Sequence, residues 1–569
     1  MSIIDWLVLG VTICFIVFYG IWKSRNTKNI QGYLLADRQL PWYHVGLSVM
    51  ATQASAITFL SAPGQGYTDG LRFVQFYFGL PLAMIVLCIT FVPIFHRLNV
   101  FTAYEYLEKR FDIKTRSLTA FLFLLQRGIS TGITIYAPAI VLSTILNVDI
   151  TYTTFFMGGV VILYTVYGGT KAVSYTQMLQ MGIIFAGLLM AAYMVVRLLP
   201  ADVGFTDALH IAGKMGKLNA IDTEFDMNNR YNIWSGIIGG FFLQLSYFGT
   251  DQSQVGRYLT GKSVTQSRLG LVMNGLVKIP MQFLILLIGV LVFTFYQYNP
   301  PPMFFNKTEV NAVKKSDYKE EYEELEKRYY DLQSTKKEQA TELLKKIDAG
   351  ADEEDLFFAK KNLGTTDVRA KQVREDAIVL MKKNNPKADT NDTNYVFLSF
   401  VIEYLPVGMV GLLIAIIFLA SMGSTASGLN SLASTTFIDF YKRFSKKESN
   451  EKRDLYISRL TTVIWGVFCL IVALYAGKLG NLIEAVNILG SLFYGTILGI
   501  FVVAFYVKHV EGTAVFYAAI IAEILVVFAW YFDLSAFLWL NVVGCLLVVL
   551  FALLINPYTK NKSASELTK

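Results

Sequence analysis

The sequence predicts an all-α polytopic membrane protein of about thirteen spans, and three observations carry that prediction. Of 569 residues, 54% are hydrophobic and 16% charged, with a mean hydropathy of +0.46, far from the composition of soluble domains. Apolar runs of bilayer length recur along nearly the whole chain. The formal charge of +7 gathers in alternate loops, which makes it a topology signal rather than a nucleic-acid footprint.

Taken in order, the spans are 3–22, 43–67, 71–96, 116–147, 151–168, 172–199, 231–257 and 270–298, then 406–441, 453–477, 479–507, 513–531 and 535–556. The first run has Asp5 ahead of it and Lys23 and Arg25 behind it, the reverse of a signal peptide's charge order, so it stays with its N-terminus outside. That register puts 23–42, 97–115, 258–269, 442–452 and the C-terminal tail in the cytoplasm. These segments hold Lys23, Arg25, Lys28, Arg38, Lys109, Arg110, Lys114, Lys262, Arg268, Lys442, Arg443, Lys446, Lys447, Lys560 and Lys562, as the positive-inside rule requires. The expected location is the cell membrane, N-terminus out and C-terminus in. Cys14, Cys88, Cys469 and Cys545 fall inside apolar runs without paired spacing and read as small core residues rather than as disulfides or metal ligands.

Two segments fall outside the membrane. One is 201–230, of mixed polarity; the other is the charged insertion 300–393, opened by Pro300, Pro301 and Pro302. Within it Tyr322, Leu325, Tyr329 and Leu332 alternate steps of three and four, predicting an amphipathic helix, and a second around 367–383 returns against it as an external hairpin. Asn306 and Asn391 head glycosylation sequons. The stretch 101–111 has Tyr104, Leu107 and Phe111 opposite Glu105, Glu108, Lys109 and Arg110 and reads as an interfacial helix.

The stretch 48–70 is a poor lipid-facing helix, because hydroxyls, Gln53 and a Pro63/Gly64/Gly66 break interrupt it. Broken backbone is tolerated in a membrane only where its freed groups meet protein, water or an ion. Ser48, Thr52 and Ser55 share a helical face beside the carbonyls of Ala51 and Ala54, oxygens of the kind a hard cation such as Na⁺ takes. A second hydroxyl-rich span, 419–444, brings Ser424, Ser427, Ser431 and Ser434 to one face beside Gly423 and Gly428. One such face is explained by small-residue packing; two, one of them broken, predict a shared cation site.

On the segments YLLADRQLPWYHVGLSVMATQASAITFLSAPGQGY, FTAYEYLEKRF, TGITIYAPAIVL, VYGGTKAVSYTQMLQ, SYFGTDQSQVGRYLTG and SMGSTASGLNSLASTTFIDFYKR, the chain resembles the sodium/solute symporters over nearly its full length. The resemblance implies a five-plus-five inverted-repeat, leucine-transporter-like core. It divides the chain into an extra helix and loop at 1–42, core helices 1–7 at 43–299, the insertion 300–393, core helices 8–10 at 394–510, and two peripheral helices with a short tail at 511–569. It also implies a sodium site formed by the carbonyls of Ala51, Ala54 and Ala420 and the side chain of Ser424. Gly423 stands where many members have a second hydroxyl, so Thr425 or Ser427 is expected to contribute instead. Gln177 stands where several sodium-coupled members have Asp, which favours one Na⁺ per cycle.

For the solute, polar residues inside spans are the candidates, because charge and amide groups near the midplane are costly. They are Gln53, Ser55, Thr58, Gln75, Gln244, Tyr247, Lys278 and Asn487, with Glu484 nearby. In sugar-transporting members the positions resembling Gln53, Gln244, Lys278 and Asn487 face the sugar, and the one resembling Tyr247 closes the inner side. Arg127 points the other way if it opens on the cavity, since a guanidinium is a fork for carboxylate; pairing with Asp251 or Glu523 would neutralise it. The expectation is therefore Na⁺-coupled symport of a sugar-like solute, with a small carboxylate or anion as the alternative and a membrane sensor as a remote one.

No HExxH, Cys/His cluster, phosphate loop or Ser/His/Asp set occurs, so no enzyme, catalytic residue or cofactor is expected beyond Na⁺ as coupling ion. The tail after the last span is too short for a signalling module. The expected partners are Na⁺, a small solute and the lipid bilayer, with neither nucleic acid nor an obligate protein partner.

Overall fold

The computed structural model describes residues 1–24, 30–146, 148–386, 388–445 and 450–566; the expected loop cations Arg25, Lys28, Lys446 and Lys447 lie outside them. Among the described residues the chain is helical throughout, its one β contact being an isolated bridge between Leu40 and Gly261. Eleven helices are long and apolar enough to cross a membrane. The shortfall from thirteen falls at two expected spans, 43–67 and 231–257, and both are broken helices.

After α1 (Ile3–Ser24), the first broken span is α2 (Trp42–Gln53) and α3 (Ala56–Asp69). A 3-10 segment, Gly70–Tyr77, then leads into α4 (80–98), so the apolar run Ala56–Leu98 reads as one span. The break itself lies at Ala54 and Ser55, where ψ opens to 76° and 175°, not at Pro63/Gly64/Gly66 as the sequence suggested. Pro63 stays inside α3, and the glycines serve close packing instead. A Cβ on Gly64 would collide with the Thr393 carbonyl, and one on Gly66 with that of Leu286.

Next come α5 (Ile113–Leu146), α6 (Ile150–Tyr167) and α7 (Gly169–Arg197), the last two joined through Gly169 at a φ of 59°. The second broken span follows as a π turn (Ser235–Gly239), α8 (Gly240–Thr250) and α9 (Gln252–Tyr258). Asp251, extended at φ −77° and ψ 118°, caps α9 by accepting from the Ser253 amide, which holds the second half-helix in register without continuous backbone bonding.

The remaining core consists of α10 (Val264–Tyr298), α13 (Met409–Phe444), α14 (Glu451–Leu479) and α15 (Leu482–Tyr506). Peripheral α16 (Gly512–Tyr531) and α17 (Phe537–Thr559) pack against each other and α15. Helix α10 runs along both α2 and α3, while α13 packs on α5 and on the 150–197 helices. Asp5 ties α1 to the start of α13 by accepting from the amides of Gly408 (2.6 Å) and Gly411 (3.1 Å), donors that a helix N-terminus otherwise leaves unpaired.

The insertion is the expected hairpin, built as α11 (Lys319–Asp348) and α12 (Glu353–Asn384). Tyr322 and Tyr329 are buried against Ala370, Val373, Ala377 and Met381, with Leu325 and Leu332 partly buried beside them. Helix α12 starts well before residue 367 because Asp352 caps it, its carboxylate accepting from the Asp355 amide. Of the two sequon residues, Asn306 is only 3% exposed and caps the short helix Lys307–Val313. The expected interfacial helix is a short one, Glu105–Arg110, anchored by Glu108 to Arg116 (2.6 Å) and Arg443 (2.7 Å).

Candidate functional site

The break between α2 and α3 shapes everything near it. In an unbroken helix the carbonyls of Ala51 and Ala54 would accept from the amides of Ser55 and Thr58. Here those amides donate elsewhere, Ser55 to the Gln53 carbonyl (3.0 Å) and Thr58 to the Ser55 carbonyl (2.9 Å). Two carbonyl oxygens are thereby released at the same turn, the feature expected of a cation site.

Helix α13 supplies hydroxyls to the same neighbourhood. Thr52 Oγ1 and Ser427 Oγ meet at 3.2 Å across the α2–α13 seam. Ser424 Oγ donates to the Ala420 (2.9 Å) and Ser421 (3.2 Å) carbonyls, and Thr425 Oγ1 is buried without a partner. Between the two helices lies Gln177 of α7. Its Nε2 donates to the Gly423 carbonyl (3.1 Å), Ser427 Oγ (3.0 Å) and Thr52 Oγ1 (3.2 Å), and its Oε1 accepts from Ser48 Oγ (2.6 Å). An amide NH₂ group among three oxygens does electrostatically, without net charge, part of what a cation would do there.

Beside this seam is a cavity whose empty space, including that open to solvent, is roughly 640 Å³. Gln53, Ser55 and Thr58 line it from the break, Gln244 and Tyr247 from α8, Asn487 from α15 and Arg127 from α5. Gln53 Nε2 approaches Gln244 Oε1 at 3.4 Å, and Gln53 Oε1 is buried without a partner. Seven of the nine expected solute residues are thus brought together.

The other two are not on its wall. Gln75 is fully buried and fastens the 201–230 loop, donating to the Tyr231 carbonyl (3.0 Å) and accepting from the Asp222 amide (3.1 Å). Lys278 is fully buried with its Nζ 5.7 Å from the centre of the Tyr77 ring, and Tyr77, not Lys278, lines the cavity. Gln75 was picked out as a polar residue in an apolar span, a signal that cannot tell which face of a helix looks inward, and Lys278 on that signal together with the family resemblance. Glu484 is turned to the loop, accepting from Tyr231 Oη (2.9 Å) and Arg230 (3.1 Å), and Glu523 is not on the cavity wall.

Arg127 is ion-paired with Asp251, the residue that breaks and caps the second discontinuous helix. Tyr494 Oη bridges the two, 2.8 Å from Arg127 and 2.9 Å from Asp251. The guanidinium also lies 5.5 Å from the centre of the Tyr247 ring, whose hydroxyl accepts from Gln254 (2.7 Å). Tyr494 and Ser130 line the cavity and escaped the sequence reading. Ser130 carried a signal, lying one helical turn past Arg127 on the same face; Tyr494 is one tyrosine among the many of an aromatic-rich chain.

Broken first helices in both halves and an oxygen-rich seam are symporter features, and the comparisons agree. The sequence profile described as "Sodium:solute symporter family" matches residues 33–312 and 376–522. The chain belongs to this family. It is 25% identical to the sodium/glucose cotransporter of Vibrio parahaemolyticus, over 89% of this chain and 81% of that one. It is equally 25% identical to the sodium/sialic acid symporter NanT of Aliivibrio fischeri, over 97% of this chain and 92% of that one. A solved Na⁺-coupled sialic acid symporter, substrate-bound and outward-open, superposes with a TM-score of 0.75 at 22% identity, covering 98% of both chains. The leucine-transporter-like architecture is therefore that of this multi-pass symporter, whose partners are Na⁺ and a small solute. Residues 313–375, most of the hairpin, fall between the two matched segments.

Proposed function

We propose that this symporter couples Na⁺ entry to uptake of a small, neutral, polyhydroxylated solute, sugar-like in chemistry, by alternating access at the central cavity. The observation that carries the reading is the pairing of Arg127 with Asp251. With that charge closed inside the protein and Lys278 behind Tyr77, the cavity offers chiefly amides, hydroxyls and aromatic faces. Amides match hydroxyls because each donates and accepts along fixed directions, and the orphaned Gln53 Oε1 lacks a donor that a solute hydroxyl supplies. Sodium/glucose and sialic acid relatives bracket this choice.

Na⁺ is assigned to the carbonyls of Ala51, Ala54 and Ala420 with Ser424, and to one ion per cycle, because the Gln177 amide already joins the neighbouring oxygens of Ser48, Thr52 and Ser427. Ser424→Ala removes one oxygen from a small shell, so the Na⁺ concentration for half-maximal uptake rises several-fold; an unchanged Na⁺ dependence would refute the site. The loop charges support a hairpin outside the cell.

A carboxylated solute is the second reading, favoured by the presence of Arg127 on the cavity wall. Competition of Na⁺-dependent uptake by sugars and by small carboxylates, in wild type and Arg127→Gln, decides between them. Inhibition by sugars supports the neutral solute. Inhibition by carboxylates alone, abolished in Arg127→Gln, overturns it.

A further inference from the structure

The hairpin does not lie flush on the membrane domain. Between them is a half-open cleft of about 920 Å³. Its floor is the end of α3 and of α10, with Tyr67, Phe293, Tyr296 and Gln297; its roof is α11 and α12, with Tyr329, Lys336, Asp367, Lys371 and Arg374; Lys217 enters from the 201–230 loop. Tyr67 stands about two and a half helical turns along α3 from Thr58 of the central cavity, so the cleft is a separate compartment at the hairpin end of the same helix.

Most of the charged groups lining the cleft are ion-paired; Glu375, an exposed carboxylate on its wall, is in none of the ion pairs among the described residues. Asp367 takes Lys336 (2.6 Å) and Lys371 (2.9 Å), and Arg374 is paired with Asp392. The Lys217 ammonium has no carboxylate in ion-pair reach among the described residues. It donates to the Thr68 carbonyl and lies 4.6 Å from the centre of the Phe293 ring. The nearby Asp69 is engaged by Gln65. Burial, and then the neighbouring Lys371, lower the Lys217 pKa to about 8, the mark of a cation short of counter-charge.

Two buried polar groups on the same wall are also unpartnered. Gln297 Oε1 and Tyr296 Oη have no hydrogen-bond partner, on side chains of residues 3% and 1% exposed. A buried acceptor and hydroxyl left unpaired cost free energy unless a ligand or water meets them. Tyr67, Phe293, Tyr296 and Tyr329 add ring faces, which favour apolar CH surfaces.

We propose that this cleft is a second binding site, for a small organic acid that sets its carboxylate against Lys217, donates a hydroxyl to Gln297 and lays its body against the aromatic wall. Such a site needs the hairpin, whose cleft-lining residues lie in the segment outside the family profile, so it is a property of this chain rather than of the family core. It does not depend on the identity of the transported solute. Its position at the hairpin end, on the helix that carries the central break, suits it to capture an acid outside the central cavity.

Glucuronate is the probe, and glucose, the same ring without the carboxylate, its control. Calorimetry on the full-length protein in detergent should show glucuronate binding that is the same in Na⁺ and in K⁺, since the cleft is separate from the ion seam. Lys217→Gln should weaken it at least about tenfold, the loss of one charge-assisted hydrogen bond, while Lys217→Arg retains it and shows that the site is intact. No glucuronate binding in wild type, or equal binding in Lys217→Gln, overturns the proposal. So does binding that Arg127→Gln abolishes and Lys217→Gln leaves alone, which would put the acid in the central cavity.

Discussion

The central cavity and the outer cleft each hold a sheltered cation over an aromatic ring, and they treat it in opposite ways. Arg127 is closed by Asp251 and bridged by Tyr494. Lys217 has a carbonyl and a ring but no acid. A paired charge shapes a cavity without asking the solute for charge, whereas an unpaired one is a standing demand for an anion. If both proposals hold, two recognition tasks that a single cavity could have combined are kept apart.

The largest test of that contrast is Asp251→Asn. It leaves Arg127 uncompensated while the asparagine oxygen still caps α9, and should cost on the order of 3–5 kcal/mol, as breaking a buried pair does. The expected outcome is a steep fall in thermal stability and loss of uptake, and adding Arg127→Gln should recover part of the stability through coupling of the two sites. A double variant no more stable than Asp251→Asn would show that the pair is not the unit described.

Replacing 316–387 with a short Gly/Ser linker separates the compartments outright. Na⁺-coupled uptake should remain measurable and glucuronate binding should vanish. Complete loss of transport by a correctly inserted protein would tie the hairpin to the transport cycle instead.

Acidity gives a smaller, graded effect. The groups facing Lys217 are Asp69 from α3, Lys336 from α11, and Asp367 and Lys371 from α12. Burial raises the Asp367 pKa and its two lysines outweigh that, holding it below the usual range. The Lys217 ammonium is largely charged at pH 7 and largely neutral at pH 9, given a pKa of about 8. Glucuronate affinity should fall about tenfold across that interval, and a flat profile would remove Lys217 from the site. Least of all, Tyr494→Phe deletes one bridging hydroxyl and should lower stability by about 1 kcal/mol without changing solute selectivity.

The membrane class, most of the spans, the amphipathic hairpin and the two hydroxyl-rich helix faces were legible in the chain, because hydropathy and periodicity are local properties. Gln53, Ser55, Thr58, Arg127, Gln244, Tyr247 and Asn487, marked by polarity inside apolar spans and four of them also by the family resemblance, do line one cavity. The site of the first break was misread, since Pro63, Gly64 and Gly66 look like breakers until the Leu286 and Thr393 backbones are seen pressed against the two glycines. Gln75 and Lys278 do not lie on the cavity wall: a polar residue in an apolar span is legible in the chain, and only packing chooses what it faces. The pairing of Arg127 with Asp251 spans 124 residues, and the solitude of Lys217 depends on three separate segments meeting in the cleft. Charge balance is a sum over neighbours in space, so it was decided when the helices came together and not before.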